Sequence, residues 1–176
     1  MKLTAQEEYG LRCLLHLARF GENAEDWVSV TQVAEGEGLS TAYVEKLLRI
    51  LSRSRLVESA RGAKGGYRLS HPPERISLGA ALRALGGAIL EPHGVCGTYI
   101  GNQAHCVHTP DCRIRPVWAQ ISAYLGAMLD AVTVADLLEG EHIVRERVRV
   151  AHDAAITTPT PLIRPAQLHT KTRSTN

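Results

Sequence analysis

Apolar residues recur at helical spacing through most of the chain, and polar and glycine positions divide them into short elements. Thr4 followed by Glu7 is a capping-box signature, after which Leu11, Leu14, Leu15 and Ala18 line one face up to Gly21, which predicts a first helix. Ser29 and Gln32 repeat the signature ahead of a second, short helix, Val30 to Glu35, that Gly36 and Gly38 end and turn. Ser40 is positioned to cap a third helix, Thr41 to about Ser54, with Val44, Leu47, Leu48 and Leu51 on one side. Its other side presents Thr41, Ala42, Tyr43, Glu45, Lys46, Arg49 and Arg53.

A short helix, a glycine-bearing turn and a longer helix with a polar, basic outer face is the pattern of a helix-turn-helix, whose second helix enters the major groove. Directly after it, LVES, ARGAKGG and YRLS read as two strands joined by a loop in which Gly62, Gly65 and Gly66 let the backbone turn tightly. This hairpin is a wing, and Arg61 and Lys64 at its tip are placed to reach a phosphate or a narrow minor groove. After Pro72 and Pro73, Ser77 caps a helix through Leu85 that Gly86 and Gly87 stop, and residues 91–116 show no periodicity. The clearest helix runs from about Pro116 to Ala135. Around it Ile114, Trp118, Ile121, Leu125, Met128 and Val132 follow at intervals of 4, 3, 4, 3 and 4, a heptad seam suited to packing against a copy of itself. Burial of that helix within its own domain is the alternative. TVADLLEG predicts a last short helix, Glu141 to Ala155 is a further helical candidate with Arg145, Arg147 and Arg149, and the tail after Thr157 is polar and Pro-bearing, as disordered segments are.

Composition narrows the class. With 44% hydrophobic and 22% charged residues in 176, the chain is globular rather than disordered, and no uncharged apolar run approaches the roughly 20 residues of a membrane-spanning helix. The opening MKLTAQEEYG carries acids where a secretory signal has a basic segment and an apolar core, so a cytoplasmic, reducing compartment is expected. A net charge of +2 hides an asymmetry: residues 1–45 hold three basic and eight acidic groups, a balance of −5, whereas residues 46–75 hold eight basic and two acidic ones, a balance of +6. Lys46, Arg49, Arg53, Arg55, Arg61, Lys64, Arg68 and Arg75 make the third helix and the wing a cationic surface of the kind that neutralises phosphates.

The aperiodic loop holds three of the four cysteines, Cys96, Cys106 and Cys112, spaced C-x9-C-x5-C among Gly94, Gly97 and Gly101. Thiolates are soft ligands suited to an iron-sulfur cluster or to zinc. Three leave a ligand missing, for which His93, His105 and His108 are candidates within the loop. A redox thiol switch and incidental cysteines are the other readings. Cys13, among Leu11, Leu14 and Leu15, reads as a core residue, Trp27 and Tyr67 as packing residues, and His16 as a partly buried structural histidine.

Taken together, residues 1–140 resemble the bacterial winged helix-turn-helix regulators of the IscR and NsrR kind. The resemblance rests on MKLTAQEEYGLRCLLHLA, on VAEGEGLSTAYVEKLLRILSRSRLVESARGAKGGYRLS, and on three cysteines just before a long helix. It implies a homodimeric regulator, typically a repressor, that carries an iron-sulfur cluster and reports iron supply, oxidative stress or nitric oxide. It implies that Cys96, Cys106 and Cys112 are the cluster cysteines, that Ser40, Tyr43, Glu45 and Lys46 read bases, and that Arg61 enters the minor groove. Family members take a fourth ligand from a His three residues after the last cysteine or from an acidic residue near position eight of the partner subunit. Here the first position is Arg115, which cannot bind iron, so the resemblance leaves Glu8. The gap between Cys96 and Cys106 is longer than is usual in the family, which leaves open a two-iron or a four-iron form, and a loop His in place of Glu8.

The expectation is a mainly α protein with a small β wing. Residues 1–75 form the winged helix-turn-helix domain, 76–140 the cysteine-rich cluster-binding loop and dimerisation helix, and 141–176 a largely disordered extension. Its function is transcription regulation through double-stranded DNA, contacted by Ser40, Thr41, Tyr43, Glu45, Lys46, Arg49, Arg61 and Lys64, with a cluster on Cys96, Cys106, Cys112 and Glu8. A winged-helix regulator with a zinc site or thiol switch is the alternative. A metalloenzyme is disfavoured because no general base or phosphate-cradling motif accompanies the cysteines.

Overall fold

A computed structural model of the chain describes residues 3–21, 27–62, 65–87, 100, 102, 106–108 and 111–157. Helix α1 (Ala5–Phe20) starts at the anticipated capping box: Thr4 Oγ1 accepts from the Glu7 N–H at 3.2 Å, and the Glu7 carboxylate accepts from the Thr4 N–H at 2.7 Å. Helix α2 (Val30–Glu37) begins at the reciprocal Ser29 and Gln32 box and ends at Gly38, whose φ of 66° is the left-handed value that favours glycine. Helix α3 (Thr41–Arg53) is capped by Ser40. Gly36 was expected to help end α2, yet it lies inside the helix. Its missing side chain serves packing, since a Cβ there would sit 2.2 Å from His16 Cε1.

Strands β1 (Val57–Ala60) and β2 (Gly66–Leu69) pair antiparallel, with Glu58 opposite Arg68 and Ser59 opposite Tyr67. Val28 adds a single bridge on the other edge of β2, exchanging backbone hydrogen bonds of 2.9 and 2.8 Å with Tyr67. The wing is thereby fastened to the segment that leads into α2. A single 3-10 turn (Pro73–Arg75) leads to α4 (Leu78–Ala84), and α5 (Arg115–Asp130), α6 (Val134–Leu138) and α7 (Glu141–Thr157) complete the described elements.

One apolar core is built from Leu14 and Leu17 of α1, Val33 of α2, Val44, Leu47, Leu48 and Leu51 of α3, and Val57 of the wing. Ile76, Leu85 and Val134 belong to the same core, so the chain returns to the head after α5. The return is stitched by backbone bonds of 2.8 Å from Leu78 N–H to Val132 O and from Val134 N–H to Ile76 O. This corrects the expected helix from Pro116 to Ala135: α5 stops at Asp130, and Thr133 caps α6 through a capping box with Asp136. Val132 consequently leaves the heptad seam and is buried.

The helical candidate Glu141 to Ala155 is one helix that runs two residues further, to Thr157. Its charged residues pair within the helix, Arg145 with Glu141 at 2.6 Å and Arg149 with Glu146 at 2.6 Å. It is also anchored, through Arg147 to Asp136 at 3.1 Å and through His152 to the Tyr124 hydroxyl. The expected disorder beyond Thr157 lies outside the described residues.

Candidate nucleic-acid interface and cysteine site

The head holds α3 and the wing side by side around a polar groove of about 590 Å³, lined by Ser29, Glu45, Arg49, Ser59, Arg61 and Tyr67 among others. Hydrophobic packing orients it: Val44, Leu47, Leu48 and Leu51 are wholly buried, which turns Thr41, Lys46 and Arg49 outward. Tyr43 and Glu45 are half-buried at the edge of that face, and Ser40 spends its hydroxyl on the Tyr43 N–H at 3.3 Å. Arg49 Nη2 donates to Glu45 Oε1 at 2.5 Å, and this hydrogen bond, with the carboxylate's charge, raises the guanidinium's pKa above its ordinary value. On the wing side Arg61 is exposed beside Gly62, whose φ of 108° favours glycine, while a Cβ on Gly65 would collide with Ala60 O at 2.3 Å. Lys64 lies outside the described residues.

Sequence reasoning counted Arg68 among the phosphate-neutralising cations. The structure gives it other work: it donates to the Glu58 carboxylate at 3.1 and 2.9 Å and lies over the Trp27 ring, 4.5 Å from its centroid. The register that sets Glu58 opposite Arg68 follows from the hairpin, but Trp27 reaches them only because Val28 pairs with Tyr67. Ser29 was not expected at the groove. Its capping box was visible, while its place beneath the wing depends on that same long-range rung.

Of the cysteines, Cys106 and Cys112 are half-buried and in no disulfide, and Cys112 Sγ accepts the Arg115 N–H at 3.3 Å, at the start of α5. Cys96, His93 and His105 lie outside the described residues, and His108 is exposed. Among the described residues no three His, Cys, Asp or Glu side chains gather as a metal cluster. Glu8 is exposed on α1 and pairs with Arg12 at 3.4 Å, and Arg12 in turn lies 5.8 Å from the centre of the Tyr9 ring. Cys13 is fully buried, and that burial, with the Glu37 charge, pushes its thiol up to about 12, which keeps it protonated near neutrality. His16 is the structural residue expected, buried with Nδ1 3.1 Å from Glu37 Oε1 and its ring against Phe20.

A helix-turn-helix bearing an anchored wing, with a groove between them and a long helix downstream, defines a winged-helix transcriptional regulator. Residues 3–140 match the family described as Rrf2, iron-dependent transcriptional regulator, and the chain belongs to that family. It is 34% identical over 138 residues to protein rrf2 of Nitratidesulfovibrio vulgaris, covering 78% of this chain and 87% of that one. Among solved structures it is similar to IscR of T. potens, at 31% identity with a TM-score of 0.57 over 78% of this chain and 86% of that one. It is likewise similar to CymR, the global cysteine regulator of B. subtilis, at 29% identity and a TM-score of 0.59 over 78% and 96% of the two chains. No helix among the described residues is long and apolar enough to cross a membrane.

Proposed function

We propose that this regulator is a cytoplasmic homodimeric repressor that reads a pseudo-palindromic operator with α3 and the wing, and whose DNA affinity follows an iron-sulfur cluster. The observation that carries the DNA reading is the groove between α3 and the wing, with Arg49 on one wall and Arg61 on the other. Thr41, Tyr43, Glu45 and Lys46 face base edges, Glu45 accepting from a cytosine amino group and Lys46 donating to guanine or phosphate. Arg61 and Lys64 take the minor groove and the backbone, and Ser40 fixes the entry of α3.

The donor set fits a cluster: Cys106 and Cys112 are half-buried, and thiolates are the soft ligands that iron-sulfur clusters take. Cys96, Cys106 and Cys112 would hold it, with Glu8 of the partner subunit as fourth ligand in place of its pairing with Arg12. Bound there, a cluster supplies one-electron redox chemistry and sensitivity to oxidants and nitric oxide. The hydrogen bond from Arg115 N–H to Cys112 Sγ ties the sulfur to the first turn of α5, so a change at the cysteines bears directly on the helix that joins the two heads. Anaerobic purification should give brown protein with iron and acid-labile sulfide, lost in Cys106→Ala, and gel shifts on its own promoter should separate holo from apo protein. Equal DNA affinity in the two states would sink the sensing reading.

A second reading, a thiol switch or zinc site in the same loop, is favoured by the similarity to CymR, a cysteine regulator. It predicts colourless protein whose DNA affinity changes with a disulfide-forming oxidant, or zinc retained under oxygen.

A further inference from the structure

The seam on α5 is exposed where it should be covered. Ile114 is 61% exposed, Trp118 40% and Ile121 37%, with Val117 beside them at 55%. A seam of two heptads is shorter than the roughly three to four that sustain a coiled coil alone. These four side chains cover about half of the roughly 800 Å² that each partner gives to a stable interface. Something adjacent must widen the surface.

Helix α7 is adjacent. Its N-terminal half is held on α6 by Arg147 at Asp136, and His152 reaches the Tyr124 hydroxyl in the middle of α5. From Arg147 to His152 the contacts of α7 step from α6 back to the middle of α5. Tyr124 is three residues from Ile121 and so borders the seam. On α7, Val148, His152 and Ile156 are spaced i, i+4, i+8 and share one stripe, the stripe that meets Tyr124. Val148 is 38% exposed and Ile156 61% exposed, and both share their stripe with His152, which meets Tyr124. Ile156 lies one turn beyond His152, toward the half of α5 where Trp118 and Ile121 are uncovered. Val150, 53% exposed, points the other way, since two residues turn the helix by about 200°.

We propose that α7 is part of the homodimer interface: Val148 and Ile156 continue the seam of α5 sideways and are buried against the second copy, giving an interface of four helices, α5 and α7 from each chain. This rests on the reading that α5 joins the dimer, and it assigns a role to a segment beyond residues 3–140, which match the family. The occupant is a second copy because the patch is contiguous with a self-complementary seam and supplies the area that the seam lacks.

The test is analytical ultracentrifugation of the full chain over a concentration series, on wild type, Val148→Glu with Ile156→Glu, Val150→Glu, and Ile121→Glu. All four positions are exposed in the single chain, so each variant should fold, which circular dichroism checks. The double variant should raise the dimer dissociation constant at least tenfold, Val150→Glu should match wild type, and Ile121→Glu should be monomeric. In wild type, amide exchange over residues 148–156 should slow as the dimer forms. If Ile121→Glu is monomeric while the double variant dimerises as tightly as Val150→Glu, α7 lies outside the interface and this inference is overturned, with the α5 dimer intact. A wild type that stays monomeric overturns both.

Discussion

Gly36→Ala sets two effects of similar size against each other, and the structure decides the sign. Alanine in place of a helical glycine favours α2 by at most about 1 kcal/mol. A Cβ at this position would lie 2.2 Å from His16 Cε1 and 2.8 Å from Nδ1, closer than any real contact, so the imidazole must move. The ring cannot move at little cost: it is 7% exposed, bonded to Glu37 at 3.1 Å and packed 4.5 Å from the Phe20 ring centre. Leaving a buried polar partner unmatched costs about 1–3 kcal/mol, and loss of the ring contact adds about 0.5–1.5 kcal/mol. The net expectation is destabilisation by about 2 kcal/mol, or roughly 4–8 °C in Tm for a chain of this size. Thermal and urea melts measure it, and a cycle with His16→Ala isolates the cause. In the His16→Ala background the same glycine substitution should turn stabilising, because only the helical preference remains. A penalty of equal size in both backgrounds would refute the argument that the missing side chain makes room for the imidazole.

Other expectations follow from single contacts. Arg61→Ala should weaken operator binding on every sequence and reduce the salt slope by about one, whereas Glu45→Ala should chiefly relax base preference; equal losses on all sequences would contradict the division of roles. Cys13 should resist a thiol reagent at pH 8 in the native chain and react once the chain is denatured, as its buried thiol titrates near 12. At Asp136 burial pushes the carboxyl up, but the Thr133 backbone and hydroxyl bonds and the Arg147 charge outweigh it and hold the group below the ordinary 3.8. Its folded value being depressed, the stability it confers is complete above the unfolded value and is lost as pH falls below about 3.8; Asp136→Asn should flatten acid unfolding in that range.

Local patterns carried most of the fold. The capping boxes at Thr4 and Ser29, the Ser40 cap and the one-sided apolar row of α3 are written in residues three or four apart, and each element formed where those signals stood. The break after Asp130 was obscured because Val132 continues the heptad past it, while the Thr133 and Asp136 capping box and the backbone bonds to Leu78 and Ile76 take the chain out of the helix. The groove was half legible: Arg49 and Arg61 follow from helix and hairpin patterns, whereas Ser29, and the stacking that withdraws Arg68 from the phosphates, depend on Val28 meeting Tyr67 across many residues of sequence. Helix α7 was marked by arginines, yet its anchors Tyr124 and Asp136 belong to other elements.

The two backbone stitches at Leu78 and Val134 make α5 a handle riveted to the head twice at its C-terminal end, once through α4, where Arg83 and Ser77 hold Asp130, and once through α6. A head hung on a single strand of chain would swivel and accept half-sites at many separations. Riveted twice, it can only turn as the handle turns. In a dimer joined along α5 the distance and twist between the two reading heads are therefore set by how the handles cross. One base pair inserted at the centre of an operator, which rotates one half-site by about 35° and moves it by about 3.4 Å, should leave one head facing the wrong part of the groove.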